Sequence, residues 1–285
     1  MQQNIILTIQ DYYKHLPGSE QKVAEYILKN TSAVINLSAQ ELAKKSGSSP
    51  AAIIRFCRSI EVSGFTDLKL LLSANLGTVN TQMYTEVENG ETTAAIKEKL
   101  QHRLIHVLER TNEHLEDQAI DQAVEELETA EIIFVYGLGA SSLVAQDIYQ
   151  KFTRLGLNVF FTMDHHLFAS ALGTNGLKGI FIGVSNSGKN QETNALADLA
   201  IEKGLMVIGL TADSDSLLAK KSSILLLTPA GGEAPLRSAA TVSLTAQLYV
   251  VDVLFFAYAA KNYQETLEKI QYSKQAVEIV KKDLN

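Results

Sequence analysis

The sequence predicts a small all-α helix-turn-helix domain followed by an α/β domain with a doubly wound, parallel five-stranded sheet in the flavodoxin-like order. Three observations predict this fold class: short capped helices in the first part of the chain, a polar turn-rich stretch, and five apolar runs separated by helical patterns. A chain of 285 residues is long enough for two domains. We therefore expect the helix-turn-helix domain over 1–77, a linker over 78–93 and the α/β domain over 94–285.

The N-terminal region carries the start and stop signals of two consecutive helices. Ser38 and Glu41 form a capping box, in which the serine oxygen accepts from the third backbone N–H and the glutamate reaches back to the cap. The helix that they open is expected to end near Gly47, and Ser49 with Pro50 at the first helical position begins the next helix. Two short helices joined by a tight turn that contains glycine form a helix-turn-helix.

The second of these helices has one apolar face and one basic face. A stripe at i, i+3, i+4 and i+7 is expected to be buried, and it consists of Ile53, Phe56, Cys57 and Ile60. Ala51, Arg55 and Arg58 fall on the opposite face, where a small residue and two arginines suit entry into a DNA major groove. Such a face alone is equally typical of a solvated helix, and it is the preceding capped helix and turn that favour DNA.

Charge is distributed unequally along the chain, although the formal net charge is −7. Residues 1–80 hold 8 Lys and Arg against 6 Asp and Glu, whereas the remaining residues hold 17 against 26. A slightly basic first domain on an acidic body is consistent with DNA binding by the first domain only. The single cysteine, Cys57, excludes an internal disulfide. Because a long apolar run and a secretion signal are both lacking, we expect a cytoplasmic protein with no membrane span.

Five short apolar runs rich in β-forming residues begin at residue 132. They cover residues 132–136, 157–161, 179–184, 206–210 and 224–227. Because helical patterns alternate with them, they predict the buried strands of a parallel sheet. A long apolar helix over 238–260 suits burial, including burial against a second subunit, and an amphipathic helix over 262–284 follows it.

The turns after the first and third predicted strands are rich in glycine and hydroxyl side chains. The first turn runs from Gly137 to Ser142 and the second from Ser185 to Asn190. In a sheet of order 2-1-3-4-5 both turns flank the topological switch point, so we expect them to line one crevice. Glycine allows close backbone approach, and serine hydroxyls and helix N-terminal amides donate to anionic oxygens. A phosphate therefore fits the second turn, and the polar remainder of a sugar fits the first.

Two alternative interpretations of these turns remain. Each is compatible with an ordinary strand-to-helix turn, the first turn most of all. A dinucleotide site would use Gly137 and Gly139 as the start of a G-x-G-x-x-G turn, with Asp164 on the ribose, but Ser142 occupies the third glycine position. A dinucleotide site also gives no role to the serine turn after the third strand. The two turns together favour a ligand that carries a phosphate.

The N-terminal region resembles the helix-turn-helix of the RpiR family of sugar-catabolism regulators. The resemblance is carried by Leu42-Ala43, Gly47, the run from Ser49 to Phe56, Gly64-Phe65 and Leu68-Lys69. It implies a domain that contacts DNA through Ser48, Ser49, Ala51, Arg55, Arg58 and Lys69.

The body of the chain, roughly residues 115–258, resembles the SIS (sugar isomerase) domain. Its signature phosphate loop matches the residues from Ser185 to Gly188, with Asn190 where many members have Thr or Ser. Its first sugar-contacting turn matches the residues from Gly137 to Ser142. The resemblance implies that a sugar phosphate is bound by Gly139, Ser141, Ser142, Ser185, Asn186, Ser187, Gly188, Asn190 and Glu233.

The two resemblances in this order imply a dimeric or tetrameric regulator whose binding to operator DNA responds to a phosphosugar. The main alternative is a phosphosugar isomerase or etherase on the same fold, which would need a positioned acid and base. Glu233, Glu192 and the pair His165 and His166 are available for those roles. An enzyme would not need the helix-turn-helix, so we favour a regulator that is not an enzyme. A pure oligomerisation scaffold would leave both serine turns unexplained.

The sequence indicates neither a cofactor nor a metal site. His102 and His106 are four residues apart, which is a spacing that metal ligands adopt on a helix. No glutamate lies between them and no third ligand is evident, so we interpret them as two surface histidines.

Overall fold

The structure is a computed structural model that describes residues 4–75, 89–229 and 240–282. Its contacts divide the chain into two compact units, residues 1–109 with 230–242 and residues 110–229 with 243–285. The division falls inside one helix, Thr93–His114, whereas the sequence placed the second domain from residue 94. Most of the linker predicted over 78–93 lies outside the described residues.

The first unit begins with short helices packed around a single apolar core. In chain order its helices are α1 Ile5–Tyr12, a 3-10 turn Tyr13–His15, α2 Gly18–Lys29, α3 Thr31–Val34, α4 Ala39–Ser46, α5 Pro50–Ser59 and α6 Phe65–Asn75. The stripe predicted on α5 is fully buried in this core, with Phe56 and Ile53 among its largest side chains. A stripe at helical spacing is buried because all of its side chains lie on one side of the helix.

The predicted helix-turn-helix is confirmed at α4 and α5. The Ser38 and Glu41 capping box is present, and Gly47 ends α4 in the left-handed conformation at φ +65°. The Ser49 hydroxyl then accepts the Ala52 N–H at 3.2 Å and begins α5, with Pro50 at the first helical position. These local signals fix where the two helices begin and end, so they set the face that α5 presents.

Helix α7, Thr93–His114, is joined to α1 within the first unit through Asp11, which forms an ion pair with Arg103 and contacts the imidazole of His106. Asp11 lies 3.5 Å from the Arg103 guanidinium and 3.1 Å from His106 Nε2. The prediction of two surface histidines is therefore wrong for His106, whose side chain is 3% exposed. The buried imidazole of His106 has a polar partner in the Asp11 carboxylate of α1. His102 stays partly exposed beside Glu98.

The second unit contains the predicted parallel sheet. Its strands are β1 Ile132–Gly137, β2 Val159–Phe160, β3 Gly179–Val184, β4 Met206–Thr211 and β5 Ile224–Leu227. They are parallel in the order β2-β1-β3-β4-β5, which confirms the predicted fold class. The helices of this unit after α7 are α8 Asp117–Thr129, α9 Ala140–Arg154, α10 His165–Gly173, α11 Gln191–Glu202, α12 Leu217–Lys221, α13 Val242–Lys261 and α14 Tyr263–Lys282.

Both faces of the sheet are covered, as expected for strands without polar alternation. Ile133 and Val135 of β1 face a core that includes residues of α8, α9 and α13. Phe134 and Tyr136 face the opposite core, where they meet Phe168 of α10 in edge-on ring contacts. Successive β1 residues thus pack into the two cores on opposite faces of the sheet. This packing holds β1 in place, and with it the start of the turn that follows.

Helix α13 corresponds to the long apolar helix predicted over 238–260, of which residues 238 and 239 lie outside the described residues. By length and composition it is the single helix among the described residues that passes the criteria for crossing a membrane. Val250, Val251 and Leu254 of α13 are buried against the sheet. A helix that is apolar nearly all round is also what a domain core requires.

Candidate functional site

The outward face of α5 carries the residues predicted to contact DNA. Ala51, Arg55 and Arg58 are all exposed, and so is Ser49 at the N-terminal end of the helix. Ser48 is half-buried in the turn, where its hydroxyl lies 3.0 Å from that of Ser46. The buried stripe holds the opposite side of α5 in the core, so these polar groups stand together on the surface of the first unit.

Arg55 has a partner inside the protein that the sequence did not reveal. Its Nε donates to Glu20 Oε1 on α2 at 3.4 Å. Glu20 is 2% exposed, and its second oxygen accepts the Ser59 hydroxyl at 2.7 Å. The Arg55 side chain is still 55% exposed, so the ion pair leaves much of the guanidinium at the surface.

Lys69, the remaining predicted DNA contact, is held against the first unit. Its Nζ donates to the Leu37 carbonyl at 3.3 Å and lies 5.3 Å from the centroid of the Phe65 ring. A contact from Lys69 to DNA stays a prediction, and it would require the ammonium to exchange or share these partners.

In the second unit, the turn after β1 is tight and internally bonded. A Cβ at Gly137 would lie 2.5 Å from the Ser141 carbonyl oxygen, and Gly139 has φ +62°. Ser142 Oγ donates to the Gly139 carbonyl at 2.7 Å, so this predicted ligand residue supports the turn itself. Ser141 Oγ makes no hydrogen bond among the described residues and is the hydroxyl that this turn can offer to a ligand.

The turn after β3 is fixed by contacts with the neighbouring turn after β4. Gly188 has φ +61°, and a Cβ there would overlap the Ser216 side chain and lie 2.9 Å from Thr211 Oγ1. The Gly188 carbonyl accepts the Leu218 N–H at 3.1 Å and the Asn194 side-chain amide at 3.0 Å. A side chain at position 188 would therefore push the whole turn away from β4.

Hydrogen-bond donors without acceptors are concentrated at the same turn. Within the described part of the chain, the backbone N–H groups of Asn186, Ser187, Asn190 and Gln191 have no acceptor. Asn190 caps α11 by accepting the Thr193 N–H at 2.8 Å, which aligns the helix axis with the turn. Unpaired amides at a helix N-terminus form a positive end that favours an anion.

The serines of this turn add hydroxyl donors. Ser185 is buried at the end of β3, and Ser187 is exposed beyond it. Ser187 Oγ accepts the Lys189 N–H at 3.3 Å, which leaves its own proton available to a ligand. Lys189 Nζ lies 3.2 Å from Asp213 Oδ2 and is largely exposed, so the turn itself carries a cation at the surface. The sequence prediction omitted Lys189, because the partner that orients it lies on the turn after β4.

The two turns leave the sheet side by side. Gly137 at the end of β1 is the register partner of Val184 at the end of β3. Adjacent strands are about 4.8 Å apart, so residues on the two turns can contact the same small molecule. The predicted residues from Gly139 to Ser142 and from Ser185 to Asn190 are thus brought together at one edge, while Glu233 lies outside the described residues.

Tyr136, just before the first turn, is a buried polar group that sequence reasoning missed. Its hydroxyl has no hydrogen-bond partner among the described residues. Burial raises the pKa of Tyr136, and the carboxylates of Glu192 and Asp164 raise it further. The Tyr136 phenol, near the carboxyl end of β1, therefore stays protonated, with Glu192 and Asp164 close enough to influence it.

The second predicted strand is followed by Asp164, His165 and His166. Asp164 Oδ1 accepts the N–H groups of His166 and Leu167 at 2.9 and 3.1 Å and begins α10. These backbone hydrogen bonds lower the pKa of Asp164, with help from the nearby histidines. Asp164 thus has a capping role, and in the described part of the chain no three or more His, Cys, Asp and Glu residues are grouped as a metal site.

Comparison with known proteins connects both sites to one family. The helix-turn-helix domain model of the rpiR family matches residues 3–78, and the SIS domain model matches residues 126–257. The chain is 34% identical over 270 residues to the uncharacterized HTH-type transcriptional regulator YbbH of Bacillus subtilis (strain 168), which covers 95% of each chain. The chain belongs to the rpiR family of helix-turn-helix transcriptional regulators.

Two solved structures are similar to this chain. A structure of the Vibrio vulnificus NanR protein complexed with ManNAc-6P is 25% identical to this chain, covers 97% of it and 99% of NanR, and has a TM-score of 0.61. The sugar isomerase domain of an RpiR transcription factor from Sphaerobacter thermophilus is 22% identical, covers 62% of this chain and 97% of that domain, and has a TM-score of 0.54. The second likeness supports the fold of the α/β unit.

Proposed function

We propose that this rpiR-family regulator binds operator DNA through α5, and that a phosphorylated sugar at the carboxyl edge of the SIS sheet controls that binding. The observation that supports the phosphate site is the set of unpaired hydrogen-bond donors in the turn from Ser185 to Asn190. The turn offers unpaired backbone amides and a free hydroxyl proton at a helix N-terminus, and it contains no carboxylate.

A phosphate is the anion that this turn suits best. A phosphate group can accept hydrogen bonds on three oxygens, which matches amides of the turn and of α11 together with the Ser187 hydroxyl. Hydrogen bonds to a charged group contribute about 1.5–3 kcal/mol each, so removing one is expected to weaken binding about tenfold or more. Lys189 adds a positive charge within reach if Asp213 releases it.

The sugar is proposed to lie toward the first turn. Ser141 there has an unused hydroxyl, and the register of β1 and β3 puts the two turns within reach of one small molecule. The structure of the similar NanR protein is described in complex with ManNAc-6P, which supports a ligand of the same chemical class. The Ser141 hydroxyl and the Asn186 side chain would then face the polar remainder of the sugar.

On the DNA side, Arg55 and Arg58 are proposed to enter the major groove. Both are exposed on a face whose opposite side is fixed in the core. A guanidinium can bond a guanine through two N–H groups, and this is the commonest specific contact to a base. Ser48, Ser49, Ala51 and Lys69 would contact the surrounding backbone or allow close approach.

We further propose that the chain acts as a homodimer or homotetramer in the cytoplasm, where it meets operator DNA and phosphorylated sugars. A symmetric dimer of helix-turn-helix domains matches an inverted repeat whose half-sites lie about 34 Å apart, or a multiple of that distance. Footprinting on a selected operator tests this, because a single unrepeated protected site would contradict a symmetric dimer.

We also propose that the protein is not an enzyme. An isomerase or etherase needs a group that can both take and give a proton near neutral pH. Glu192, His165 and His166 are available as such groups, but an isomerase or etherase would not need the helix-turn-helix domain that this chain carries. The similar YbbH protein is named a transcriptional regulator. Conversion of the bound sugar phosphate by purified protein, followed by NMR, would favour the enzyme instead.

The experiment that tests the effector is a thermal-shift screen. Sugar phosphates are compared with the same sugars without phosphate and with inorganic phosphate, in the absence and presence of operator DNA. At 100 times Kd a ligand adds about 2.7 kcal/mol, which is a shift of roughly 5–10 °C for a domain of this size. If phosphorylated and unphosphorylated sugars give equal shifts, the turn after β3 is not a phosphate site.

A further inference from the structure

Glu20 is a buried carboxylate whose side-chain hydrogen-bond partners, among the described residues, both lie on α5, the helix proposed to face DNA. It lies in the first turn of α2 and is 2% exposed. Its two oxygens face Arg55 Nε at 3.4 Å and Ser59 Oγ at 2.7 Å, and both partners lie on α5. Arg55 and Ser59 are one helical turn apart, so one carboxylate braces two successive positions on the same flank of α5.

Burial makes this contact more than an ordinary surface ion pair. A buried charge is costly unless it is paired and hydrogen-bonded, and within the described part of the chain Arg55 and Ser59 are the partners of the Glu20 carboxylate. The Arg55 side chain is 55% exposed, so one end of the guanidinium is held while the other is at the surface. Releasing Arg55 would leave Glu20 without its cation.

The geometry of arginine determines what this restraint does. The guanidinium is planar and carries five N–H donors in a fixed fork. With Nε directed at Glu20, the four N–H groups on the two terminal nitrogens have no hydrogen-bond acceptor among the described residues. A guanine edge or a phosphate accepts two parallel N–H groups. Because the guanidinium is planar, holding its Nε–H fixes the plane in which the terminal N–H groups point.

We propose that Glu20 is a positioning residue for DNA recognition: it holds the Arg55 guanidinium in the orientation that discriminates between bases. This inference rests on the proposed base-reading role of Arg55. Glu20 itself is buried and does not touch DNA. Its charge also partly neutralises Arg55, so Glu20 contributes discrimination between sequences rather than general attraction to the duplex.

The test uses the full-length protein and an operator selected from random DNA by the wild-type chain. Binding is measured at fixed salt to this operator and to a set with each base pair substituted in turn. Arg55→Ala identifies the positions at which Arg55 reads a base. Glu20→Gln, which keeps the size and removes the charge, is expected to lose discrimination about tenfold at those same positions and nowhere else.

Two further readouts separate positioning from simple stabilisation. Because Glu20→Gln keeps the Arg55 charge, the slope of log affinity against log salt is expected to stay at the wild-type value. In the double variant, Glu20→Gln is expected to add nothing to the loss caused by Arg55→Ala. The matched control is Ser59→Ala, which removes the other partner of Glu20 and is expected to lower the melting temperature while discrimination is kept.

Each outcome decides the proposal. If Arg55→Ala changes discrimination and Glu20→Gln does not, Glu20 is structural and the inference is wrong while the role of Arg55 stands. If Glu20→Gln tightens operator binding with discrimination intact, Glu20 masks Arg55 instead of orienting it. If Arg55→Ala leaves discrimination unchanged, both the base-reading role and the inference fail. Should Glu20→Gln not fold, Glu20→Asp withdraws the carboxylate by one methylene and is expected to show the same selective loss.

Discussion

Replacing Gly188 with alanine is expected to destabilise the SIS domain and to weaken sugar-phosphate binding together. At φ +61° a residue with a Cβ is strained, at a cost of about 1–2 kcal/mol. The new Cβ would also overlap the buried Ser216 side chain and lie 2.9 Å from Thr211 Oγ1, and such overpacking costs typically about 1–3 kcal/mol. The total is about 2–5 kcal/mol.

A matched control separates strain from overlap. Gly204 also has a left-handed backbone, at φ +77°, but a Cβ there would meet nothing within 4 Å. It lies between α11 and β4, at the opposite edge of the sheet from the two turns. Gly204→Ala is therefore expected to cost only the strain, about 1–2 kcal/mol, and to leave ligand affinity unchanged.

Urea denaturation followed by circular dichroism measures the stability of both variants, and calorimetric titration measures their affinity for the sugar phosphate that gives the largest thermal shift. Because the turn must move to admit the methyl group, Gly188→Ala is expected to weaken affinity at least about tenfold. If Gly188→Ala is no less stable than Gly204→Ala and binds the ligand as the wild type does, the packing described between the turns after β3 and β4 is wrong.

The other predictions concern single side chains. Ser187→Ala is expected to weaken sugar-phosphate binding about tenfold, and so to reduce the thermal shift at a fixed ligand concentration by about half, while DNA binding without ligand is kept. Ser223→Ala, which changes an exposed serine at the other edge of the sheet, is expected to alter neither property. Equal thermal shifts in the two variants would contradict a phosphate contact by Ser187. Phe56→Ala is expected to cost about 3–5 kcal/mol in the stability of the first unit, measured by urea denaturation, because Phe56 is fully buried. Burial raises the pKa of Cys57 from 9.0 to about 11, so at pH 8 the folded protein is expected to react with iodoacetamide far more slowly than the unfolded chain. Equal labelling of folded and unfolded protein would contradict the burial of Cys57. Because the pKa of Cys57 is raised on folding, its contribution to the free energy of unfolding is present below pH 9 and is lost between about pH 9 and about pH 11. Urea denaturation at several pH values across this range measures that loss.

The parts of the fold that follow from local pattern were predictable. The apolar runs from Ile132 and from Gly179 became β1 and β3 at the predicted positions, because a strand buried on both faces needs an uninterrupted apolar sequence. Helices α4 and α5 begin at the predicted caps, since the Ser38 and Ser49 hydroxyls accept the Glu41 and Ala52 N–H groups, which have no acceptor within the helix. The two serine turns lie together because the order of parallel strands puts their carboxyl ends at one edge.

The parts that depend on distant partners were not predictable. Glu20 and Arg55 are 35 positions apart, and in the sequence each reads as an ordinary helix charge. His106 was expected at the surface, because its spacing from other histidines says nothing about an aspartate on the first helix. Asp213 orients Lys189 from a different turn. Ion pairs between elements depend on how the elements pack, and a periodicity within one element does not contain that information.

The contacts of Asp11 with Arg103 and His106 determine where the chain can be truncated to give a stable DNA-binding fragment. A DNA-binding fragment cut at the end of the predicted first domain, residue 77, would keep the aspartate and lose both of its basic partners. Truncation there removes the part of the first compact unit that holds Arg103 and His106, so a fragment that extends at least through Glu109, where the first segment of that unit ends, is the natural starting point for isolating the DNA-binding half. The same reasoning applies to chimaeras: a foreign sensor joined after Glu109 would keep the contacts of Asp11 with Arg103 and His106, whereas one joined near residue 90 would remove both.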